Sequence, residues 1–166
     1  MESKNGRNKV LTAYFSHSGN TRAIAEMING SAGGDIFEIK AVKAYPEDYD
    51  AVVDEAKQEL KSGVKPELRA KVADMAGYDT IFIGYPVWWY TFPAPVKTFL
   101  SEYDLSGKKV IPFCTHEGSG LGKSPVHISK LCPDAVMLDG LEIRGTAAAG
   151  AQNKVTDWLR KIKIIK

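Results

Sequence analysis

Three short stretches of this chain carry residue types and spacings suited to chemistry rather than packing. The first is Ser16-His17-Ser18-Gly19-Asn20-Thr21. Its hydroxyls and amide are side-chain donors, Gly19 lets the backbone come close, and a helix starting there offers unpaired N–H groups. That combination suits a phosphate. An ordinary N-cap turn uses the same residue types, so both readings stand at this point. The stretch lacks the lysine of GxxxxGK[ST], which argues against ATP or GTP hydrolysis. It is not GxGxxG either, which argues against a dinucleotide fingerprint.

The second stretch, Gly84-Tyr85-Pro86-Val87-Trp88-Trp89-Tyr90-Thr91-Phe92-Pro93, places four large aromatics within five positions. Trp88, Trp89, Tyr90 and Phe92 would wall a planar apolar ligand. A satellite hydrophobic cluster or a protein interface would use the same residues. The third stretch, Thr115-His116-Glu117-Gly118-Ser119-Gly120-Leu121-Gly122, has glycine at every second position from Gly118. Such a backbone either turns sharply, approaches a ligand, or is simply flexible.

The elements that must hold these stretches alternate along the chain. Lys9–Phe15 is a short apolar run and reads as a buried strand; Ile24, Met27 and Ile28 follow at helical spacing. Ile36, Phe37 and Ile39 mark a second strand, and Tyr49, Val52, Val53, Ala56 and Leu60 a long helical stripe stopped at Gly63. A short helix is expected near Lys71–Met75. Thr80–Tyr85 is a strong strand, followed by a helix through Val96, Phe99, Leu100 and Tyr103 with Pro93 or Pro95 in its first turn. Lys109–Thr115 is a strand, and Ser124-Pro125 reads as an N-cap and first helical residue. Ala135–Ile143 holds a strand interrupted near Asp139-Gly140, and Val155, Trp158, Leu159 and Ile162 form a closing amphipathic helix.

Five strands alternating with about five helices predict an α/β domain, a parallel sheet covered on both faces. Ligands of such sheets bind beyond the carboxyl ends of the strands, where all three stretches fall. A phosphate site on the first loop, an aromatic wall on the next and a glycine-rich strip on the last describe a ligand with a phosphate and a flat heterocycle. Flavin mononucleotide (FMN) fits that description.

Composition narrows the classes. The chain has 166 residues, enough for one domain. Residues 1–8 read as a flexible arm and 9–166 as the domain. With 22 Lys and Arg against 20 Asp and Glu, the net charge of +2 argues against a nucleic-acid binder. Acids exceed bases by four between Asp35 and Asp79, bases exceed acids by four between Glu142 and Lys166, and Gly84–Val96 carries no charge. The basic end is a solvated helix terminus or a dock for an anionic partner. No run reaches the ~20 apolar residues of a membrane span, and no secretory leader is evident, so a cytoplasmic protein is expected. Cys114 and Cys132 form no CxxC pair, and Cys114 reads as inert core. His127 reads as surface or satisfied core, His116 as a flavin or substrate partner or a solvent-facing residue, and no histidine has zinc-ligand spacing. Gly118-Ser119-Gly120 is only a partial echo of a nucleophile elbow.

The Ser-x-Ser-Gly-Asn-Thr loop after strand one, the run Tyr78-Asp79-Thr80-Ile81-Phe82-Ile83-Gly84, the aromatic loop and the glycine-rich loop together resemble flavodoxins and flavodoxin-like proteins. The resemblance runs from Lys9 onward and is to the short-chain branch. It implies a five-stranded parallel sheet of order 2-1-3-4-5 and non-covalent FMN. It further implies that Ser16, His17, Ser18, Gly19, Asn20 and Thr21 hold the phosphate. Pro86, Val87, Trp88, Trp89 and Tyr90 would flank one side of the ring, with Thr115, His116, Glu117, Gly118, Ser119 and Gly120 on the other.

Two departures from the family stand out. The aromatic loop is uncharged where many flavodoxins gather carboxylates, which would raise the potential of the reduced flavin. Pro86-Val87-Trp88-Trp89 also lacks the glycine that often follows the aromatic position.

The function expected is electron transfer between a reductase and acceptor enzymes, by a monomer or weak dimer. The alternative is an FMN-dependent NAD(P)H or quinone oxidoreductase of the same fold. A third reading is a non-redox module whose aromatic loop is an interface.

Overall fold

The computed structural model describes residues 9–166, so the arm expected over 1–8 lies outside the described residues. The chain alternates β1 (Val10–Tyr14), α1 (Asn20–Ala32), β2 (Asp35–Glu38), α2 (Tyr49–Ser62), β3 (Thr80–Pro86) and α3 (Ala94–Ser101). It continues with β4 (Lys109–His116), α4 (Ser124–Leu131), β5 (Val136–Met137), β6 (Leu141–Arg144) and α5 (Gln152–Lys161). Every strand pairing is parallel, in the order β2-β1-β3-β4-β5, and β6 continues β5 along the same edge of β4.

The interruption expected near Gly140 has a local cause. The Val110 carbonyl accepts from Leu138 N–H, so two residues along β4 Pro112 faces the same neighbour. Proline has no N–H to give, and the ladder breaks until Phe113 pairs with Leu141.

Strand alternation sorts the core into two layers. Leu11, Ala13, Ile81, Ile83 and Tyr85 point to the face covered by α3 and α4, where Val96, Phe99 and Ile128 meet them. Val10, Tyr14, Phe82 and Phe113 point to the face of α1 and α5, against Ile24, Ile28, Val155 and Trp158. The central strands are buried on both faces, which is why they read as continuous apolar runs.

Two expectations are corrected. No α-helix forms near Lys71–Met75; only a 3₁₀ turn appears, at Met75–Gly77. The backbone before it runs extended against the segment after β2, with Val42 N–H bonded to Glu67 O and Arg69 N–H to Lys40 O. Val72 N–H then goes to the Tyr103 hydroxyl at 2.8 Å. Ser124 does not cap α4: Lys123 holds the cap position and Ser124 is the first helical residue. Its buried hydroxyl accepts from Tyr85 Oη at 2.7 Å and donates to Leu121 O at 2.6 Å.

Among the described residues no helix is long and apolar enough to cross a membrane.

Candidate functional site

A parallel sheet brings the loops after β1, β3 and β4 to one edge, and direct bonds join them there. Thr21 Oγ1 on α1 lies 2.8 Å from Thr115 Oγ1 at the end of β4, both buried. Val87 N–H donates to Thr115 O at 2.9 Å, and Lys123 N–H to Tyr90 O at 2.7 Å. Gly122 adopts φ +59°, and a methyl there would sit 2.5 Å from Tyr90 O, so only glycine allows this approach.

The first loop is built around Ser16. Its Oγ accepts from Gly19 N–H and Arg22 N–H, both at 3.2 Å, which leaves its own O–H free to donate outward. Gly19 caps α1 with φ +100°, and the space where its side chain would stand is open. The amides of Ser18, Asn20 and Thr21 find no acceptor among the described residues, and the first turn of α1 contains no acid. This is an anion-binding arrangement: outward N–H groups and a hydroxyl at the positive end of a helix dipole. Its donor set suits a phosphate ester. The Thr21 hydroxyl lies against Thr115 Oγ1 at 2.8 Å, and where it accepts that bond its own O–H remains to donate. The His17 side chain is turned aside, donating from Nε2 to Pro46 O at 2.9 Å, which leaves its backbone in the loop.

The four aromatics of the second loop do not form one wall. Phe92 is buried against Tyr85 and His127 as core. Trp88 turns inward, edge-on to Tyr45 at 5.3 Å, Phe15 at 5.5 Å and His17 at 5.8 Å. Trp89 lies over α2, its Nε1 donating to Val53 O at 3.0 Å and Lys57 Nζ 5.4 Å from its ring centre. Tyr90 is 65% exposed. Trp88 and Thr91 exchange both backbone bonds, making a two-residue turn with Trp89 at φ +53° and Tyr90 at φ +66°. Turns of that hand favour Asn-Gly, and an L side chain in this region costs about 1–2 kcal/mol.

In the third loop both nitrogens of His116 are taken. Nδ1 accepts from Gly118 N–H at 2.9 Å, and Nε2–H meets the Glu142 carboxylate. His116 thus shapes the start of the loop rather than presenting a free nitrogen. Glu117 Oε2 and Asn20 Nδ2 both crowd Gly145, where a methyl would sit 2.6 and 2.8 Å from them. Ser119 Oγ donates to the next carbonyl, Gly120 O, at 3.0 Å. Cys114 is buried beneath the loop, its Sγ 3.7 Å from Gly120 O, and burial pushes its thiol pKa up to about 12. It is inert at neutral pH.

The connection between β2 and α2 had no candidate in the sequence, yet it completes this edge. Pro46 holds His17, and Tyr45 buttresses Trp88 while its hydroxyl donates to Glu59 Oε1 at 2.6 Å. Nothing in the residue types of Tyr45-Pro46 marks them out; their role comes from where β2 ends.

Comparison with known proteins agrees with this architecture. The flavodoxin family model matches residues 9–162. A Bacteroides eggerthii chain described as a flavoprotein is 30% identical, with 96% of this chain and 100% of that chain covered and a TM-score of 0.81. A second, from Bacteroides uniformis, is also 30% identical, with coverage of 92% and 98% and a TM-score of 0.83. A Lactobacillus acidophilus flavoprotein in complex with FMN is 24% identical, with coverage of 90% and 99% and a TM-score of 0.72. The uncharacterized NAD(P)H oxidoreductase YcaK of Escherichia coli is 25% identical over 97 residues, 56% of this chain and 50% of YcaK. The aligned region thus spans half the length of that curated relative. With the family match running from β1 through α5, the chain belongs to the flavodoxin family.

Proposed function

We propose that this chain is an FMN-binding electron-transfer flavoprotein that carries electrons between a reductase and acceptor enzymes in the cytoplasm. The observation that carries the reading is the first loop. Three backbone N–H groups without acceptors among the described residues and the Ser16 hydroxyl converge at the acid-free start of α1. FMN is the cofactor, and when bound it supplies the redox chemistry. The chain's own residues bind and orient it. Ser16, Ser18, Asn20 and the backbone through Thr21 take the phosphate. Pro86–Tyr90 and Thr115–Gly120 flank the ring, and the Thr21–Thr115 bond holds the two ends of the site in register. His116 has both nitrogens engaged, by Gly118 N–H and by the Glu142 carboxylate.

The test is the visible spectrum of the purified protein, followed by FMN titration of the stripped chain. Flavin bands and saturable uptake are expected, with Ser16→Ala weakening binding by about 1–3 kcal/mol. A colourless chain that takes up no FMN overturns the reading.

The similarity to YcaK favours a second reading, an FMN-dependent NAD(P)H or quinone oxidoreductase. Anaerobic mixing with NADH or NADPH separates the two. Bleaching of the flavin without any added reductase supports the enzyme; a stable oxidised spectrum supports the carrier.

A further inference from the structure

A second concavity lies beside the cofactor loops. It has a volume of about 250 Å³ and opens between α2, the Trp88–Pro93 segment, the start of α3 and α4. Its walls are apolar: Leu60, Val64, Trp88, Phe92, Pro93 and Leu131. None of residues 16–21 or 115–120 lines it.

Its charged groups are unevenly matched. Lys97 and Lys130 both line the cavity. Lys97 Nζ donates to Gly63 O at 3.3 Å, and neither lysine meets a carboxylate among the described residues. Glu59, the acid that also lines it, is already engaged by the Tyr45 hydroxyl, and burial raises its pKa. His127 is bonded through Nδ1 to Thr91 Oγ1 at 2.6 Å, and burial beside Lys130 and Lys123 favours its neutral form. Two ammonium groups against one carboxylate that the Tyr45 hydroxyl already engages, over an apolar floor, are complementary to an amphipathic anion.

Size limits that anion further. The volume falls below the ~300–1,000 Å³ of sites for drug-sized ligands, too small for FMN or a nicotinamide dinucleotide. We infer that this cavity binds a small carboxylate with a one- or two-ring apolar body, at a site separate from the cofactor loops that shares Trp88 with them. The ring lies against Trp88 and Phe92, and the carboxylate faces Lys97 and Lys130. Trp88 also packs edge-on to Phe15 and His17 at the phosphate loop, so occupancy on one side bears on the geometry of the other.

The test titrates the protein as purified, and again after saturation with FMN, with cinnamate and its uncharged analogue cinnamamide. Binding is followed by calorimetry and by backbone amide chemical shifts. Saturable cinnamate binding is expected, with shifts clustered at Ala56, Leu60, Lys97 and His127. Cinnamamide should bind about tenfold more weakly, the loss of a charge-assisted contact. The double variant Lys97→Gln, Lys130→Gln should bring the two affinities together. Leu60→Trp, at a position 52% exposed on α2, should fill the cavity and abolish both without lowering the melting temperature. Equal affinity for the two probes, shifts confined to residues 16–21 and 115–120, or no saturable binding overturns the inference. Because the titration is also run without added flavin, its failure is distinguishable from failure of the cofactor assignment.

Discussion

At the residue scale, the least expected feature is two consecutive aromatic side chains in left-handed backbone. Trp89 and Tyr90 occupy the turn that Asn-Gly would take without strain, at φ +53° and +66°. The strain is held by contacts from outside the turn: Trp89 Nε1 on Val53 O, and Lys123 N–H on Tyr90 O. The two residues differ in what they contribute. Trp89 is anchored through its side chain, whereas Tyr90 is anchored only through its backbone carbonyl and leaves its ring exposed. Tyr90→Gly therefore keeps the anchoring bond and relieves the strain. It should stabilise the chain by about 1 kcal/mol, read as a higher urea midpoint. The same variant removes an exposed ring beside the flavin loops, so FMN affinity should fall while stability rises. Such opposed changes are the signature of strain retained for function; a lowered urea midpoint would show that the turn is relaxed in its native sequence. The sequence made the aromatics of this turn conspicuous, but not their directions. Alternation and spacing say nothing of φ, so Trp88 turning into a nest with Tyr45 was not legible.

At the scale of elements, the sheet and its helices were legible because both faces of the central strands are buried and each helix shows an apolar stripe. What was illegible depends on partners distant in the chain. Lys71–Met75 has helix-compatible residues, but Leu68, two residues after Pro66, bridges Ala41, and the extended pairing overrides local preference. Ser124-Pro125 has the composition of a cap, but the Tyr85 hydroxyl reaches Ser124 from the sheet. The loop after β3 is pinned to α4 by another such long-range contact, His127 Nδ1 to Thr91 Oγ1. Burial, then Lys130 and Lys123, lowers the His127 pKa from its ordinary 6.5. The folded chain therefore binds fewer protons than the unfolded one once the pH falls below 6.5, and stability declines as the pH drops from there through the folded pKa. Urea midpoints should fall across that window, and His127→Gln should flatten that part of the slope. An unchanged slope in the variant would assign the acid sensitivity to other groups.

At the scale of the whole molecule, the near-zero net charge conceals an axis. Helices antiparallel to the strands point their amino ends at the loop edge, so the positive ends of their dipoles gather where the phosphate is proposed to sit. The basic excess of the last segment ends with Arg160 and Lys161 in the final turn of α5, at the opposite edge. The loop edge itself presents the uncharged Gly84–Val96 segment, with Trp89 41% and Tyr90 65% exposed. Around the third loop two acids, Glu117 and Glu142, stand with one cation, Arg144, whose guanidinium lies near Gly118. From the uncharged segment we expect a flavin held at this edge to be approached across a surface of little net potential, with charged reagents neither drawn in nor repelled. The check uses the reduced protein and two small oxidants of opposite sign, ferricyanide and hexaammineruthenium(III). Raising the salt from about 0.05 M to 0.5 M shortens the screening length roughly threefold. It should change either rate by less than about twofold, whereas a steered encounter falls steeply with ionic strength. Opposite, strong salt effects on the two oxidants would reveal a charged approach and remove the argument for neutral docking. A flat response would mean that recognition of redox partners rests on the exposed aromatic pair, and that partner choice is set by the shape and apolar area around Trp89 and Tyr90.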